Sequence, residues 1–374
     1  MLRVLHGPVN VGNHPWVLSR QERLLGARSE LVVNYSTWLK YNADECLGEY
    51  GVKTFRTVAK RFWFGLRAPF RYDVLHYYFG RTFWCWDDWG QPNRLWYRDL
   101  RLARAMGRKI FMTLQGCDAR LAGRSDRRYQ TTMCREGRCT AYATCRQLLD
   151  RQRVELIENI LPLCDKTFIL NPELSHYVPG ATFLPFANVD VERFEPIPPR
   201  TDGPIRIVHA PSDPNIKGTS HIEAAVQRLK TRYPIEFVLV QGLTHAEAMK
   251  LYRSADLVID QILAGWYGGL AVEVMAMGKP VICYIRDEDL SVIPARMREE
   301  LPILNATIEN LESRLVEIIE CRDQWGRWSQ QAREFVLRWH NPRRIAQAML
   351  DAYGSPDSRF SLAERVEARK RCAA

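Results

Sequence analysis

The sequence lacks most of the signals that assign a chain to a class at once. No stretch reaches the roughly 18 consecutive apolar residues of a membrane-spanning helix. The opening MLRVLHGPVN runs straight into a strand-like stretch without a signal-type apolar segment, so a cytoplasmic location is the expectation. There is no P-loop, no HExxH, and no GxSxG followed by a fitting Asp and His. Zinc-finger, helix-turn-helix and RNP-like patterns are missing too, which argues against nucleic acid as a partner. The ten cysteines contain no CxxC pair and form no regular framework, so reduced, buried thiols are expected.

What is present is length, apolar content and positive charge. At 374 residues the chain exceeds what one core usually fills, and 46% hydrophobic residues suffice for two. The formal charge of +10 favours anionic partners such as nucleotides or an anionic membrane face. A basic protein with no special partner fits the same number.

Strand-like and helix-like runs alternate along the chain. Strands are expected at 2–8, 29–36, 72–80, 108–116, 166–170 and 182–186, with helices at 15–27, 93–107 and 146–161. FEPIPPRTDGP (194–204) is proline-rich and aperiodic and reads as a linker. The alternation then restarts, with strands at 205–211, 235–242, 256–262 and 280–285 and helices at 218–232, 244–254 and 269–277. Residues 307–352 read as helical, anchored by Trp325, Trp328, Trp339 and Leu350, before a charged tail that frays. Repeated βαβ units with apolar strands predict parallel sheets covered by helices. The expected fold class is α/β, two Rossmann-like doubly wound domains facing a cleft. Their expected bounds are 1–195 and 205–340, with a C-terminal helix in 341–374 returning toward the first domain.

The stretch GWYGGLAVEVMAMGKPVICY (265–284) places two glycines ahead of a small apolar helix carrying one acid, Glu273. A glycine turn opening a helix presents free N–H groups and the positive end of the helix dipole, which suits a diphosphate. Glu273, about one turn inside, is placed to accept hydrogen bonds from ribose hydroxyls. Spacing alone also allows an acid that only favours the helix dipole.

The same residues resemble the signature of retaining GT-B glycosyltransferases, particularly family 4: an acid, seven residues, then Glu, within a glycine-bearing loop and before A-x-G-x-P-V-I. HAPSDPNIKGTSHIEAAVQRLK (209–230), NVDVERFEP (188–196), KIFMTLQGCD (109–118) and VGNHPWVLSRQERLLGA (11–27) resemble further family segments in the same order. The resemblance covers most of residues 1–350. It implies that Glu273 binds the donor ribose, that amides around Gly268, Gly269 and Leu270 hold the donor phosphates, and that Lys217 reaches them as a point charge. It also implies that Gly12 and Asn13 form the first-domain loop near donor phosphate and acceptor. No metal is expected, since backbone, dipole and lysine would stabilise the departing diphosphate.

Three positions depart from that pattern. The first acid falls at Gly265, with Asp260 the nearby candidate to replace it. The basic residue five before Lys217 falls at Ser212, and the usual histidine falls at Gln115. His209 ends a strand, where it would serve either the strand or the donor.

KRFWFGLRAPFRY (60–72) interleaves basic and aromatic residues without an acid, as at an anionic bilayer surface or in a basic loop with core aromatics. Trp84, Trp86 and Trp89 form a second aromatic cluster, expected to pack. Cys117, Cys134, Cys139 and Cys145 lie in one arginine-rich segment. Their spacing favours ordinary thiols over a structural zinc, and the segment is expected as a loop insertion. The acids of 287–289 and 87–88 read as solvated loop residues.

The expected activity is a glycosyltransferase moving a sugar from a nucleotide diphosphate sugar to a glycan or lipid-linked acceptor, in surface polysaccharide or glycoconjugate synthesis. A nucleotide-sugar epimerase of the same fold and a catalytically silent nucleotide-sugar binder are the alternatives.

Overall fold

The computed structural model describes residues 1–36, 40–85, 92–357, 360 and 362. The chain divides into two compact units, one from residues 1–121, 148–189 and 342 onward, the other from 122–147 and 190–341.

The first unit is built on seven strands, β1 (Arg3–Gly7), β2 (Arg28–Val33), β3 (Glu45–Cys46), β4 (Val74–Tyr78), β5 (Lys109–Leu114), β6 (Lys166–Ile169) and β7 (Thr182–Phe183). They pair in parallel in the order β3-β2-β1-β4-β5-β6-β7, with Leu5 beside Leu75 and Leu75 beside Ile110. The central strands are largely buried on both faces, as in parallel sheets covered by helices. The helix Pro342–Gly354 belongs to this unit. Lys109 Nζ donates to its last carbonyls, Tyr353 at 2.6 Å and Gly354 at 2.9 Å, where a cation also favours the helix dipole. The Tyr353 hydroxyl lies 2.6 Å from Nδ1 of His76, which burial keeps well below the usual histidine range.

The basic aromatic stretch is a helix, Phe55–Arg71, with Thr54 capping its start. Its inward side carries Arg61, Gly65, Ala68 and Pro69, and Gly65 lies against the Trp84 indole. Trp84 is buried, stacks on Phe62 at 5.0 Å and donates to the Phe62 carbonyl. It is a packing residue, whereas Trp86 and Trp89 lie outside the described residues, as do the acids at 87–88.

The second unit has five parallel strands in the order β12-β11-β10-β8-β9. These are β8 (Ile205–His209), β9 (Ile235–Leu239), β10 (Leu257–Ile259), β11 (Val281–Cys283) and β12 (Leu304–Asn305). The chain runs outward from β8 to β9, then returns to the other side of β8 for β10. The strand order therefore reverses between β8 and β10, where His209 sits beside Ile259. Ligands of open α/β sheets bind beyond the carboxyl ends of the strands at such a reversal. In the first unit the corresponding reversal lies between β1 and β4.

Residues 122–147 fold onto the second unit although they precede the last two strands of the first. Arg286 fixes them there. Its Nη2 donates to the Thr131 carbonyl at 2.9 Å, and its guanidinium lies 3.6 Å from the centre of the Tyr129 ring. The Tyr129 hydroxyl donates to Asp289, which also holds Arg286 Nη1 at 2.8 Å.

Candidate active site

The loops after β8 and β10 bring Lys217, Asp260 and Gly268 together. After β8 the chain passes the exposed Ser212 and enters the short helix Pro214–Lys217. The Asp213 carboxylate caps that helix, accepting from the N–H groups of Asn215 and Ile216. Gly218 ends it at φ +79°, where a Cβ would stand 2.6 Å from Ile262 Cγ1, so only glycine fits both the backbone and the space. The Lys217 carbonyl accepts from the Ile262 N–H at 3.2 Å, tying this turn to the loop after β10. Lys217 Nζ then lies 2.5 Å from Asp260 Oδ1, while the Gly268 N–H donates to Asp260 Oδ2 at 2.7 Å.

Gly268 precedes the helix Gly269–Ala276, whose residues from Ala271 to Ala276 are all buried. Glu273 is the single acid on it. Its Oε2 lies 3.1 Å from Nε2 of His245, the first residue of the helix His245–Ser254. That helix start is fixed by a capping box in which Thr244 and Glu247 satisfy each other's backbone N–H. The hydrogen bond that His245 donates to Glu273 raises the His245 pKa above the ordinary histidine value, against a smaller opposing effect of burial. Sequence reading passed over His245. Its signal was the Thr244-x-x-Glu247 pattern, which predicts a helix start but not what lies beside it.

His209 is fully buried at the strand reversal. Its Nδ1–H donates to the Ile259 carbonyl at 2.8 Å and its Nε2 accepts from the Thr219 hydroxyl at 2.8 Å. Burial pushes its pKa down to about 4, so the ring is neutral and both nitrogens are engaged in joining β8, β10 and the following helix. Gly12 and Asn13 follow β1 in the first unit. Gly12 faces open space, and Asn13, at φ +61°, donates from Nδ2 to the Asn188 carbonyl at 3.1 Å. The N–H groups of Gln115 and Gly116 both donate to Asp118.

At Gly265 the expected acid is replaced by a cation. The residue has φ +77°, and a Cβ there would lie 2.5 Å from Arg286 Nη1. Asp260, the nearby candidate for that role, has one oxygen on Lys217 and the other on the Gly268 N–H. Asp289 is buried against Arg286 and Tyr129 rather than solvated, while Glu288 lies on the surface. Among the described residues no group of three or more His, Cys, Asp or Glu is arranged to hold a metal, the cysteine-bearing segment included.

Two parallel, doubly wound units in one chain, each with a strand reversal, are the components of the GT-B fold class. Solved structures match the chain along nearly its whole length. Sucrose-phosphate synthase from Thermosynechococcus elongatus superposes with a TM-score of 0.58 at 16% identity, over 95% of this chain and 99% of that one. Anabaena HepE in complex with UDP-glucose gives 0.58 at 10% identity, over 95% and 100%. A glycosyltransferase from Rickettsia africae gives 0.57 at 12%, over 94% and 97%. The chain thus has the GT-B fold of these proteins. No protein-family model and no curated protein matches its sequence.

Proposed function

We propose that this protein transfers a sugar from a nucleotide diphosphate sugar to a glycan or lipid-linked acceptor, with retention at the anomeric carbon, in surface polysaccharide or glycoconjugate synthesis. The observation that carries the reading is the convergence of Lys217 and the Gly268 amide on Asp260 at the strand reversal, about one helical turn from Glu273. In this reading Lys217 and the amides of Gly268, Gly269 and Leu270 take up charge on the departing diphosphate. Fixed donors aimed at developing charge in a water-poor site need no reorganisation as the bond breaks. Glu273, held by His245 through one oxygen, offers the other to the ribose hydroxyls. The fold shared with HepE, solved with UDP-glucose, makes uridine diphosphate sugars the first donors to test.

The acceptor side of the proposal rests on the helix Phe55–Arg71. Its exposed residues, Arg56, Lys60, Trp63, Arg67, Phe70 and Arg71, follow helical spacing along one face and include no acid. Trp63 and Phe70 are more than half exposed, and Phe55 at the helix start is 91% exposed. Cations beside projecting aromatic rings suit the headgroup region of an anionic bilayer, where a lipid-linked acceptor resides. Lys60 is shared with Glu45 at 3.2 Å, leaving the three arginines as the main headgroup contacts.

The test is a thermal-shift panel of nucleoside diphosphates and their sugars, followed by donor consumption with and without lipid-linked acceptors. A ligand at a hundred times its Kd stabilises by about 2.7 kcal/mol, a shift that is readily seen. Stabilisation by one nucleotide and acceptor-dependent loss of its sugar support the transferase. Epimerised nucleotide sugar without acceptor, or binding without consumption, would replace it with one of the two alternatives.

A further inference from the structure

Asp260 stands where the reading above puts a phosphate. It follows β10 directly, and its N–H donates to the Ile282 carbonyl on β11 at 2.9 Å, so its backbone is part of the sheet. Its carboxylate is fully buried. One oxygen takes the Lys217 ammonium and the other takes the Gly268 N–H, from segments 43 and 8 residues away in sequence. A Cβ on Gly268 would lie 3.4 Å from Asp260 Oδ2 and 3.6 Å from Lys217 Nζ, which puts the ion pair directly over the glycine. Two groups suited to a diphosphate are thus already engaged by an anion of the chain itself.

We propose that Asp260 is an internal stand-in for the donor phosphate, parking Lys217 between turnovers and yielding it to the diphosphate on binding. The inference rests on the donor-site reading above. A largely buried ammonium without a counter-ion is costly, and Asp260 supplies that counter-ion. The carboxylate is anchored in the sheet, whereas Lys217 has four methylenes and its side chain retains 11% exposure, so the lysine is the partner that moves. Exchange of one anion for another makes Lys217 contribute little to ground-state affinity. Its contribution grows as the diphosphate gains charge during bond cleavage, which is the differential binding that accelerates a reaction. Asp260 therefore acts on the donor through Lys217, as a positioning residue that weakens the hold on nucleotide product.

The experiment is calorimetric titration of the full chain with UDP, and with ADP, GDP and CDP as the remaining probes. The proteins compared are wild type, Asp260→Asn, Lys217→Met and the double variant, each checked for folding by circular dichroism. Asp260→Asn is expected to bind the nucleoside diphosphate about tenfold more tightly, since a competing charge is gone, and to lose this gain when Lys217 is also Met. Such non-additivity is the mark of one residue acting through another. Unchanged or weaker binding by folded Asp260→Asn, or a gain that survives in the double variant, overturns the inference while leaving the donor site standing. Binding of no nucleoside diphosphate by the wild type overturns the donor site and this inference together. Asp260→Ser, which keeps an oxygen for the Gly268 amide, replaces Asp260→Asn if that variant does not fold, with the same outcomes.

Discussion

Nε2 of His245 and Oε2 of Glu273 are 3.1 Å apart, joining the start of one helix to the middle of another, each following a different strand of the second unit. The pair fixes the one acid of the glycine-led helix through one of its two oxygens. Removing that charge while keeping the shape, with Glu273→Gln, is expected to weaken nucleoside diphosphate binding roughly 10- to 100-fold, the range for hydrogen bonds to a charged group. Calorimetry reads the affinity. In the same variant the His245 pKa, raised by Glu273, should fall back toward the ordinary histidine value by NMR titration. A histidine that titrates identically in both proteins would show that the contact is not made in solution.

Gly265 carries a second expectation. A side chain there meets an unfavourable backbone at φ +77° and the Arg286 guanidinium at 2.5 Å. Gly265→Glu, which restores the acid of the resembled signature, is therefore expected to destabilise rather than activate. Backbone strain and overpacking together suggest about 2–5 kcal/mol, measurable as a lower denaturant midpoint. Trimming Arg286 to alanine in the same chain should recover part of that loss, because the two sites share one space.

Acid should unfold the second unit partly through His209. Its pKa in the folded protein is about 4, below the 6.5 of an exposed histidine. The unfolded chain then takes up the proton first as pH falls. The stability contributed by the neutral ring is complete above pH 6.5 and is lost on acidification toward pH 4, to the extent of about 3 kcal/mol. Urea denaturation across this window should show the slope in the wild type and a flatter one in His209→Asn. His76 titrates in the same direction but sits in the first unit, so its contribution remains in both proteins.

The helix Phe55–Arg71 is expected to carry binding to vesicles containing phosphatidylglycerol or phosphatidylserine. Reversing Arg67 and Arg71 to glutamate should reduce partitioning by roughly 10- to 100-fold, at about 1 kcal/mol per basic residue near the surface. Added salt should weaken wild-type binding in the same sense. Trp63→Ala with Phe70→Ala should weaken the salt-resistant part. Vesicle binding unaffected by all four substitutions would remove the membrane from the proposal.

Much of the fold was legible because its strands are buried on both faces. LVV, LVI and VIC read as continuous apolar runs, and glycine or proline marks several strand ends. The glycine-led helix with Glu273 was equally plain. The helix Phe55–Arg71 was not, since its aromatic side chains include its exposed ones while Arg61, Gly65, Ala68 and Pro69 face inward. An apolar-face count looks for the opposite arrangement. The Lys217–Asp260 pair was hidden by 43 residues of separation, and only the parallel register of β8 and β10 makes the two loops neighbours. The cation at Gly265 could not be read at all, because it arrives from Arg286 in a later loop.

The path of the chain has a practical outcome for anyone wishing to isolate half of this molecule. It enters the second unit at residue 122, leaves at 147, returns at 190 and departs again at 341. A gene fragment spanning 190–341 would omit Tyr129 and Thr131, stripping the aromatic cover and one carbonyl from the Arg286 guanidinium. Splicing 122–147 back through a designed connection, rather than shortening at either end, is what would give the second unit a self-sufficient form.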